Sequence, residues 1–508
     1  MIPANVNFIF SSPVMLKQKV KQLGKFKLES REEEESTPYE LLDCFDQSIR
    51  QSGQVLTRSN KALQLRQQDG STLVQRCSKP VGFVIDLADG PVKEALSFVS
   101  PLRRLLVVGK GRISYSNIIA VDDDCKTQAR AYFQTYLADG IGKPIICATV
   151  QALRGYEKAF GLLVKMVGQF KGREQLNIDS LYVRLVPNYH PYQAKPDIKI
   201  VRDEVAFQAA NDIVATYIEV ARRNELGIIA DYDSEFLHDY RVSLRKIRSV
   251  ISLFKGIYSD KQTQYFKQAF SAQMEPTGRL RDLDVYLLER EHYFELLPSS
   301  LHKGLTIMYD LFEKERHEQH KVFKKRLMSR GYDLSINAVA ALFASPEQLA
   351  KGRNATHSAY SYACELIWKR YVKVCNIARK IDNKTADEQV HELRIDCKKL
   401  RYLMEFFAPL FPVDVIKKVI KSLKRLQDNL GLFNDYSVQQ ESLQLFLDTH
   451  TSKNPKKDLM VAKSVGALMM VLHQRQLQER AKVVNNFNVF DHENTQKQFQ
   501  TLFQHERE

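Results

Sequence analysis

An internal duplication constrains the fold of this chain more than any other feature of its sequence. Segment 238–248 reads His-Asp-Tyr-Arg-Val-Ser-Leu-Arg-Lys-Ile-Arg, and segment 391–401 reads His-Glu-Leu-Arg-Ile-Asp-Cys-Lys-Lys-Leu-Arg. The second segment follows the first by 153 positions (391 minus 238), and Arg281-Asp282 and Asn434-Asp435 keep the same offset (435 minus 282). Two motifs in one register indicate that a whole subdomain has been duplicated.

Helical geometry places one histidine and three cations of each copy on a single stripe. At about 100° per residue the four positions fall within an arc of about 80° and span about 15 Å. Aliphatic residues such as Leu244 and Ile251 occupy the adjoining face, so the stripe borders the packing face of its helix. We call these sets the first ladder (His238, Arg241, Arg245 and Arg248) and the second ladder (His391, Arg394, Lys398 and Arg401).

Two interpretations of the ladders are open at this point. Like charges on adjacent helical turns repel, so something must offset the repulsion. In the first interpretation solvent or bundle carboxylates such as Asp282 and Asp435 do so, and in the second a bound polyanion does. The duplication favours the polyanion, because a solvated basic face has no need to repeat in register. Arginine supplies forked donors that suit phosphate oxygens, and lysine adds a mobile point charge.

The overall charge agrees with a polyanionic partner. The 508 residues include 75 Lys and Arg against 60 Asp and Glu, a net charge of +15. This excess is typical of proteins that bind nucleic acid, an anionic membrane surface or polyphosphate. The seven cysteines are scattered without a Cys-x-x-Cys spacing, which favours reduced thiols over disulfides or zinc. No apolar run approaches the roughly 20 residues of a membrane span, and no signal peptide is recognisable, so we expect a cytoplasmic protein without membrane association.

The first part of the chain, 1–195, predicts an α+β domain. Segment 187–196 holds three prolines and indicates a domain boundary. Short apolar runs between turn residues predict strands at 61–67, 72–77, 83–87, 105–108, 113–121, 128–136 and 181–186, and one helix over 149–171.

The second part, 200–490, predicts an all-helical domain with repeat 1 at about 200–345 and repeat 2 at about 355–490, followed by a tail over 491–508. Helical periodicity covers 206–223, 236–257, 261–270, 300–329, 358–380, 388–410, 415–430 and 463–485.

The repeated motifs resemble the CHAD domain, the conserved histidine α-helical domain. The ladders are followed by Gly-Arg-Leu-Arg-Asp-Leu-Asp-Val at 278–285 and Leu-Gln-Asp-Asn-Leu-Gly-Leu-Phe-Asn-Asp at 426–435. The resemblance implies two four-helix bundles related by a pseudo-twofold axis, inorganic polyphosphate bound in a basic groove between them, and recruitment to polyphosphate granules. The residues that it assigns to polyphosphate are His238, Arg241, Arg245, Lys246, Arg248, Arg281, His391, Arg394, Lys398, Lys399, Arg401, Lys424 and Arg425. Arg279 and Arg281 are also open to pairing with Asp282 or Asp284.

Neither ladder histidine has the spacing of a metal ligand, since no His-x-x-x-His or cysteine partner accompanies it. We therefore expect no bound metal or cofactor there. A bound polyanion favours the protonated imidazole, so tighter polyphosphate binding is predicted as the pH falls from about 8 to about 6.

The first part of the chain resembles a CYTH domain, whose full form is a triphosphate tunnel enzyme with a barrel of strands. The resemblance lies in Asp-Cys-Phe-Asp-Gln-Ser-Ile-Arg-Gln-Ser-Gly at 43–53, Ala-Leu-Gln-Leu-Arg at 62–66 followed by Lys79, and Val-Asp-Asp-Asp at 121–124. It implies a metal held by an opening strand with Glu-x-Glu-x-Lys, and no such motif occurs. The run Glu32–Glu35 is contiguous, so a strand there would split its charges between both faces and a solvated loop is expected. With Arg66, Arg76 and Lys79 as the main basic residues, we expect a degenerate CYTH-like domain without triphosphatase activity.

Two other functions stand beside polyphosphate binding. A metal-dependent hydrolase of triphosphate or polyphosphate would release phosphate in the presence of Mg²⁺ or Mn²⁺. A nucleic-acid-binding protein is disfavoured, because the chain has one tryptophan, Trp368, and no glycine-aromatic strand motif for base stacking.

Overall fold

The computed structural model divides the chain into two compact units, residues 1–194 and 195–508. It describes residues 5–10, 22–32, 36–170, 173–175, 177–186, 190–382, 384–450 and 454–504. The glutamates at 33–35 and residues 187–189 of the predicted boundary therefore lie outside the described residues. Within the described ranges, no helix has the length and apolar character needed to cross a bilayer.

Unit 1 is built on one antiparallel sheet. Its strands follow the order β11-β1-β10-β9-β8-β4-β5-β6-β7, while β3 pairs with β2 and with β8. The long β8 pairs with β9 along one side, and with β4 and then β3 along the other. The strands are β1 (Asn5–Phe10), β2 (Gln22–Leu23), β3 (Phe26–Glu32), β4 (Thr37–Asp43), β5 (Val55–Ser59), β6 (Ala62–Arg66), β7 (Thr72–Arg76), β8 (Leu106–Val121), β9 (Thr127–Ala138), β10 (Ile145–Ala152) and β11 (Arg173–Gln175).

The sheet curls until its two ends face each other. Arg66 of β6 donates a hydrogen bond to the hydroxyl of Thr149 in β10, at 3.4 Å. Asn7 of β1 donates to the backbone carbonyl of Asp69, in the turn between β6 and β7, at 2.7 Å. Gly70 in that turn has a φ of +82°, and a Cβ there would lie 2.0 Å from the Asn7 side chain, so only glycine fits. Unit 1 is therefore an antiparallel half-barrel.

Unit 1 also contains four short helices, α1 (Ser48–Gln51), α2 (Pro91–Ala95), α3 (Glu157–Val167) and α4 (Ile178–Leu185). Phe160 and Leu163 of α3 pack against alternate residues of β8, β9 and β10, including Ala131 and Ala148. Leu181 of α4 packs in a separate cluster with residues of the opposite sheet face, such as Ile113 and Cys147. Since side chains alternate between faces along a strand, α3 and α4 cover opposite faces of the same sheet.

The predicted hairpin of 61–67 and 72–77 is confirmed as β6 and β7, but three other predictions for unit 1 were wrong. Segment 83–87 contains a 3₁₀ turn, Val84–Asp86, instead of a strand. Segment 181–186 lies in helix α4, which the Asn177 side chain caps by accepting from the Ser180 N–H at 3.2 Å. The predicted helix over 149–171 begins only at Glu157, because 149–152 belong to β10. Short apolar runs fit a buried strand and a buried helical turn equally well.

The strands predicted at 105–108 and 113–121 are one strand, β8, and two glycines explain why. A Cβ on Gly109 would lie 2.9 Å from the Leu185 carbonyl oxygen, and one on Gly111 would lie 2.2 Å from that of Leu137. These glycines are positions of close backbone approach inside a continuous strand and do not mark a turn.

Unit 2 is all helical, and its helices repeat with the offset of the sequence motifs. The pairs α5 and α12, α6 and α13, α7 and α14, and α10 and α15 each begin 153 residues apart. The helices are α5 (Ala206–Ala230), α6 (Ser234–Leu253), α7 (Asp260–Met274), α8 (Gly278–Leu288), α9 (Arg290–Glu295), α10 (His302–Leu327), α11 (Arg330–Ala344), α12 (Ala359–Ala378), α13 (Asp387–Phe406), α14 (Val413–Thr449), α15 (Pro455–Phe490) and α16 (Glu493–Phe503).

Residues that are equivalent in the two repeats touch each other. Phe254 and Phe407 stack with ring centroids 4.8 Å apart and planes 11° apart. The Tyr286 hydroxyl donates to the backbone carbonyl of Gln439 at 3.0 Å. Both pairs are separated by 153 positions, and equivalent positions meet in this way only near an axis that relates the two repeats. The predicted fold class, an α+β domain followed by an all-helical domain, is confirmed.

The repeats also share a hydrophobic core and differ at one helix break. Leu283 and Tyr309 of the first repeat pack in one cluster with Leu443 and Val465 of the second.

A 3₁₀ turn, Glu275–Thr277, separates α7 from α8, and it contains Pro276, which has no N–H to donate within a helix. The equivalent position in repeat 2 is Asn429, which lies inside α14, an unbroken helix of 37 residues.

Candidate polyanion site

Helices α6 and α13 carry the two ladders. The Asp233 side chain caps α6 by accepting hydrogen bonds from the N–H groups of Glu235 and Phe236, at 3.0 and 3.3 Å. Leu244 and Ile247 are fully buried on the packing face of the same helix. In α13 the equivalent residues, Cys397 and Leu400, are also fully buried. Packing therefore fixes the rotation of both helices and holds each ladder at the edge of the core.

The two ladders meet at Arg245. The pKa of Arg394 in the second ladder is lowered by burial and by Arg245, while Asp435 acts in the opposite direction. The pKa of Lys398 is lowered to about 8 by burial, and next by the positive charges of Arg394 and Arg245. Arg245 belongs to the first repeat and the other two cations belong to the second. Cations of both repeats therefore form one cluster.

The first repeat adds further cations to this cluster. Burial lowers the pKa of Arg241, and Arg245 and Arg281 lower it further, while Asp282 opposes them. A guanidinium nitrogen of Arg241 donates to the hydroxyl of Thr277, which orients the side chain. Arg281 donates to the backbone carbonyl of Ser234 at 3.5 Å. We define the central cluster as Arg241, Arg245, Arg281, Arg394 and Lys398.

Two carboxylates lie beside the five cations of the central cluster. Asp435 is 3.7 Å from Arg394 and 60% exposed. Asp282 is flanked by Arg241, Arg279 and Arg281, and burial raises its pKa. The central cluster thus keeps an excess of positive charge. Its two acids occupy equivalent positions in the repeats, as do Arg241 and Arg394, and Arg245 and Lys398.

Two pairings that were open from the sequence are settled by geometry. Arg279 binds Glu315 through both carboxylate oxygens, each at 2.6 Å, and is neutralised there. Asp284 is engaged by Arg316 at 2.9 Å. Arg279 and Asp284 are thus each engaged by a partner outside the central cluster.

The remaining predicted residues of α6 and α13 lie at the border of the central cluster or away from it. Lys246 is 9% exposed and donates to the Tyr217 hydroxyl at 2.7 Å, and Lys399 lies 3.8 Å from Asp396. Around the helix axis, each lysine lies about 80° from the histidine of its own ladder, on the side opposite to the ladder's other three residues. Both lysines therefore point away from the central cluster. Arg401 pairs with Glu405 at 3.3 Å but still lowers the pKa of Lys398. Arg248 and His391 are exposed, and His238 is partly buried.

Helix α14 extends the basic surface on the side of repeat 2. The Gln427 side chain donates to the backbone carbonyl of Cys397 at 2.6 Å, which brings the exposed Lys424 level with the turn of Arg401. Arg425 is also exposed. Lys417 and Lys421, exposed on the same face as Lys424, were missed from the sequence. Their spacing of four and three residues was a signal that could have found them.

The first repeat lacks this extension. At the offset of 153, the positions of Lys417, Lys421 and Lys424 correspond to the uncharged residues Gln264, Gln268 and Ser271. The central cluster differs between the repeats at Arg281, whose counterpart is Asn434. The adjoining surface carries these three exposed lysines on the side of repeat 2, and one exposed lysine, Lys267, in the equivalent stretch 264–271 of repeat 1.

Residues 212–444 match the family model described as the CHAD domain. The helical unit contains a CHAD domain. The matched residues include both ladders and both segments at 278–285 and 426–435 that carried the resemblance. The CHAD resemblance seen in the sequence is confirmed, and the curled antiparallel sheet of unit 1 is compatible with a CYTH-like domain.

The solved structures that resemble the chain include the following two, whereas no curated protein matches it. One is the crystal structure of the CHAD domain from the plant Ricinus communis, which has 22% sequence identity and a TM-score of 0.49, with 60% of this chain and 97% of that chain covered. The other is PptA from Streptomyces chartreusis, which has 13% identity and a TM-score of 0.40, with 58% of this chain and 100% of that chain covered.

Proposed function

We propose that the CHAD domain of this protein binds inorganic polyphosphate on the central cluster. The observation that carries the proposal is the convergence of Arg245 with Arg394 and Lys398 across the two repeats. Positive charges that lower each other's pKa repel, and a multivalent anion placed among them relieves that repulsion. The ion pair with Asp435, at 3.7 Å, engages only part of this charge.

A linear chain of phosphates suits the geometry of the site. The arginines offer forked donors that each bind two phosphate oxygens, and Lys398 adds a point charge between them. All five cations of the central cluster are partly buried between helices, so the ligand has to enter the edge of the core. A flexible unbranched anion can do this, whereas duplex DNA presents its phosphates on a wide rigid surface.

The direct test is a titration of the full chain with long-chain polyphosphate at fixed ionic strength. The test variant carries Arg245→Gln and Lys398→Gln. The control variant carries Lys325→Gln and Lys463→Gln, which removes the same charge at two exposed lysines of α10 and α15. We expect the test variant to lose affinity by a factor of about 30 and the control by less than about threefold. Equal losses in the two variants would contradict a localised site.

Competition and turnover separate this proposal from its two alternatives. Single-stranded and double-stranded DNA and RNA should displace polyphosphate only at a large excess, at each of several salt concentrations, since all polyanion binding weakens with salt. Displacement by equal phosphate concentrations of nucleic acid would favour a nucleic-acid-binding function. Phosphate release from tripolyphosphate with Mg²⁺ or Mn²⁺ would instead support hydrolysis. If binding holds in cells, the tagged protein should gather on polyphosphate granules and the test variant should not.

A further inference from the structure

The concave face of the half-barrel encloses a cavity of about 650 Å³. Residues of β1, β6, β7, β8, β9 and β10 line it, and the cross-sheet hydrogen bonds of Arg66 and Asn7 connect its walls. A volume of this size is typical of sites for small organic molecules. Its polar lining combines hydroxyl groups with five side-chain amides and one guanidinium; the amides and the guanidinium belong to Asn5, Gln64, Arg66, Asn117, Gln134 and Gln151.

Arg66 is the charged group of this cavity. Its side chain is 5% exposed, and its guanidinium donates to the Gln134 amide oxygen and to the Thr149 hydroxyl, both of which are neutral. Its Nε is buried without a hydrogen-bond partner, and within the described part of the chain Arg66 forms no ion pair. A buried charge with neutral neighbours alone is costly unless an opposite charge arrives. Arg76 and Lys79, the other basic residues expected here, are exposed and do not line the cavity.

The opening strand β1 shows why a metal-bound polyphosphate is a poor occupant. Asn5 lines the cavity, and Asn7, on the same face of β1, accepts a hydrogen bond from Thr149 at 2.8 Å. Amides thus occupy the positions where a divalent cation would need carboxylates. Among the described residues there is no group of three or more side chains able to hold a metal ion.

We propose that this cavity binds a small organic anion with a single negative charge, without a metal. One guanidinium balances one carboxylate or one singly charged phosphate ester through a two-point contact. The amides, together with the Tyr115 and Tyr132 side chains, bind the hydroxyl, carbonyl and aromatic parts of such a ligand. Arg130 pairs with the lining residue Gln151 and donates to the Tyr132 hydroxyl at 3.4 Å, so it lies at the rim of the cavity without lining it. Even two guanidinium groups would leave a triphosphate largely unneutralised.

The test uses the full chain and three probes: 4-hydroxybenzoate, inorganic phosphate, and tripolyphosphate with Mg²⁺. Binding is followed by ligand-observed NMR in the wild type and in Arg66→Gln. We expect 4-hydroxybenzoate to bind the wild type at millimolar or lower concentration and to lose at least tenfold in affinity in Arg66→Gln. Tripolyphosphate binding should be the same in both proteins, because the proposed polyphosphate site lies in the other unit.

A second pair of variants protects the test against misfolding of Arg66→Gln. Val74→Trp narrows the cavity from an exposed lining position, and Leu137→Trp places the same side chain at an exposed site outside the lining. Only Val74→Trp should abolish 4-hydroxybenzoate binding. The proposal is overturned if 4-hydroxybenzoate does not bind in an Arg66-dependent way, whether or not inorganic phosphate does, or if tripolyphosphate with Mg²⁺ is the probe that depends on Arg66.

Discussion

Arg245 of α6 and Lys398 of α13 occupy the same position in the two repeats, and each carries its charge into the same cluster. Burial lowers the pKa of Lys398 to about 8, and the positive charges of Arg394 and Arg245 contribute to this shift. A bound polyanion acts in the opposite direction, because it stabilises the ammonium form. Ligand binding and protonation of Lys398 are therefore linked, which gives a pH-dependent property to measure.

Polyphosphate affinity should decrease as the pH rises through 8. Below that pH Lys398 is already protonated, and above it binding has to take up a proton, so we expect a loss of about fivefold between pH 7 and pH 9.5. Isothermal titration at constant ionic strength in two buffers would measure both the affinity and the proton uptake. In Lys398→Arg the charge is permanent, and the dependence over this range should disappear. If the affinity of Lys398→Arg still decreases over this pH range, a group other than Lys398 causes the dependence and the prediction is wrong.

The same residue should make the unliganded protein less stable. The pKa of Lys398 is about 8 in the folded chain and near 10.5 when unfolded, so its charged form destabilises the fold fully below pH 8, and this cost vanishes as the pH rises towards 10.5. Solvent screens part of the repulsion, so we expect Lys398→Met to raise the free energy of unfolding by roughly 1 kcal/mol at pH 7.

Urea unfolding with and without polyphosphate would test this directly. The stabilisation of the wild type by polyphosphate should exceed that of Lys398→Met, because the variant has lost part of the site. A variant that is less stable than the wild type in the absence of ligand would show that the lysine stem contributes more by packing than its charge costs.

The ladders could be predicted from the sequence because helical spacing alone determines which side chains share a stripe. The structure brings together four residues of the two predicted stripes, Arg241, Arg245, Arg394 and Lys398. Lys246 was predicted as a site residue, although the same helical spacing places it on another face of α6. The convergence of Arg245 with Lys398 could not be predicted, because it depends on tertiary packing that also stacks Phe254 on Phe407. The cavity of unit 1 could not be predicted either, because it also depends on tertiary structure: Arg66 contacts Thr149 only when the sheet is curled.

The Asp435 carboxylate should compete with polyphosphate for Arg394. Its nearest oxygen lies 3.7 Å from the guanidinium, and its side chain is 60% exposed, so the ion pair is weak and open to displacement. We expect Asp435→Asn to raise polyphosphate affinity about threefold by removing both the competitor and its negative charge. Asp448→Asn, near the end of the same helix, is the matched control. Weaker binding in Asp435→Asn would mean that the carboxylate positions Arg394 for the ligand.

The lysines of α14 should determine how the protein responds to chain length. Lys417, Lys421 and Lys424 continue the basic surface for about 10 Å beyond the turn of Arg401, a distance that short phosphate chains bound at the central cluster do not reach. Changing all three to Gln should reduce affinity for long-chain polyphosphate about tenfold and for tripolyphosphate less than about twofold. The opposite experiment places lysines at the equivalent positions of repeat 1, as Gln264→Lys, Gln268→Lys and Ser271→Lys, and should raise affinity for the long chain alone. Equal effects on both ligands would place these lysines inside the central site, and no effect on either would confine polyphosphate to the ladders.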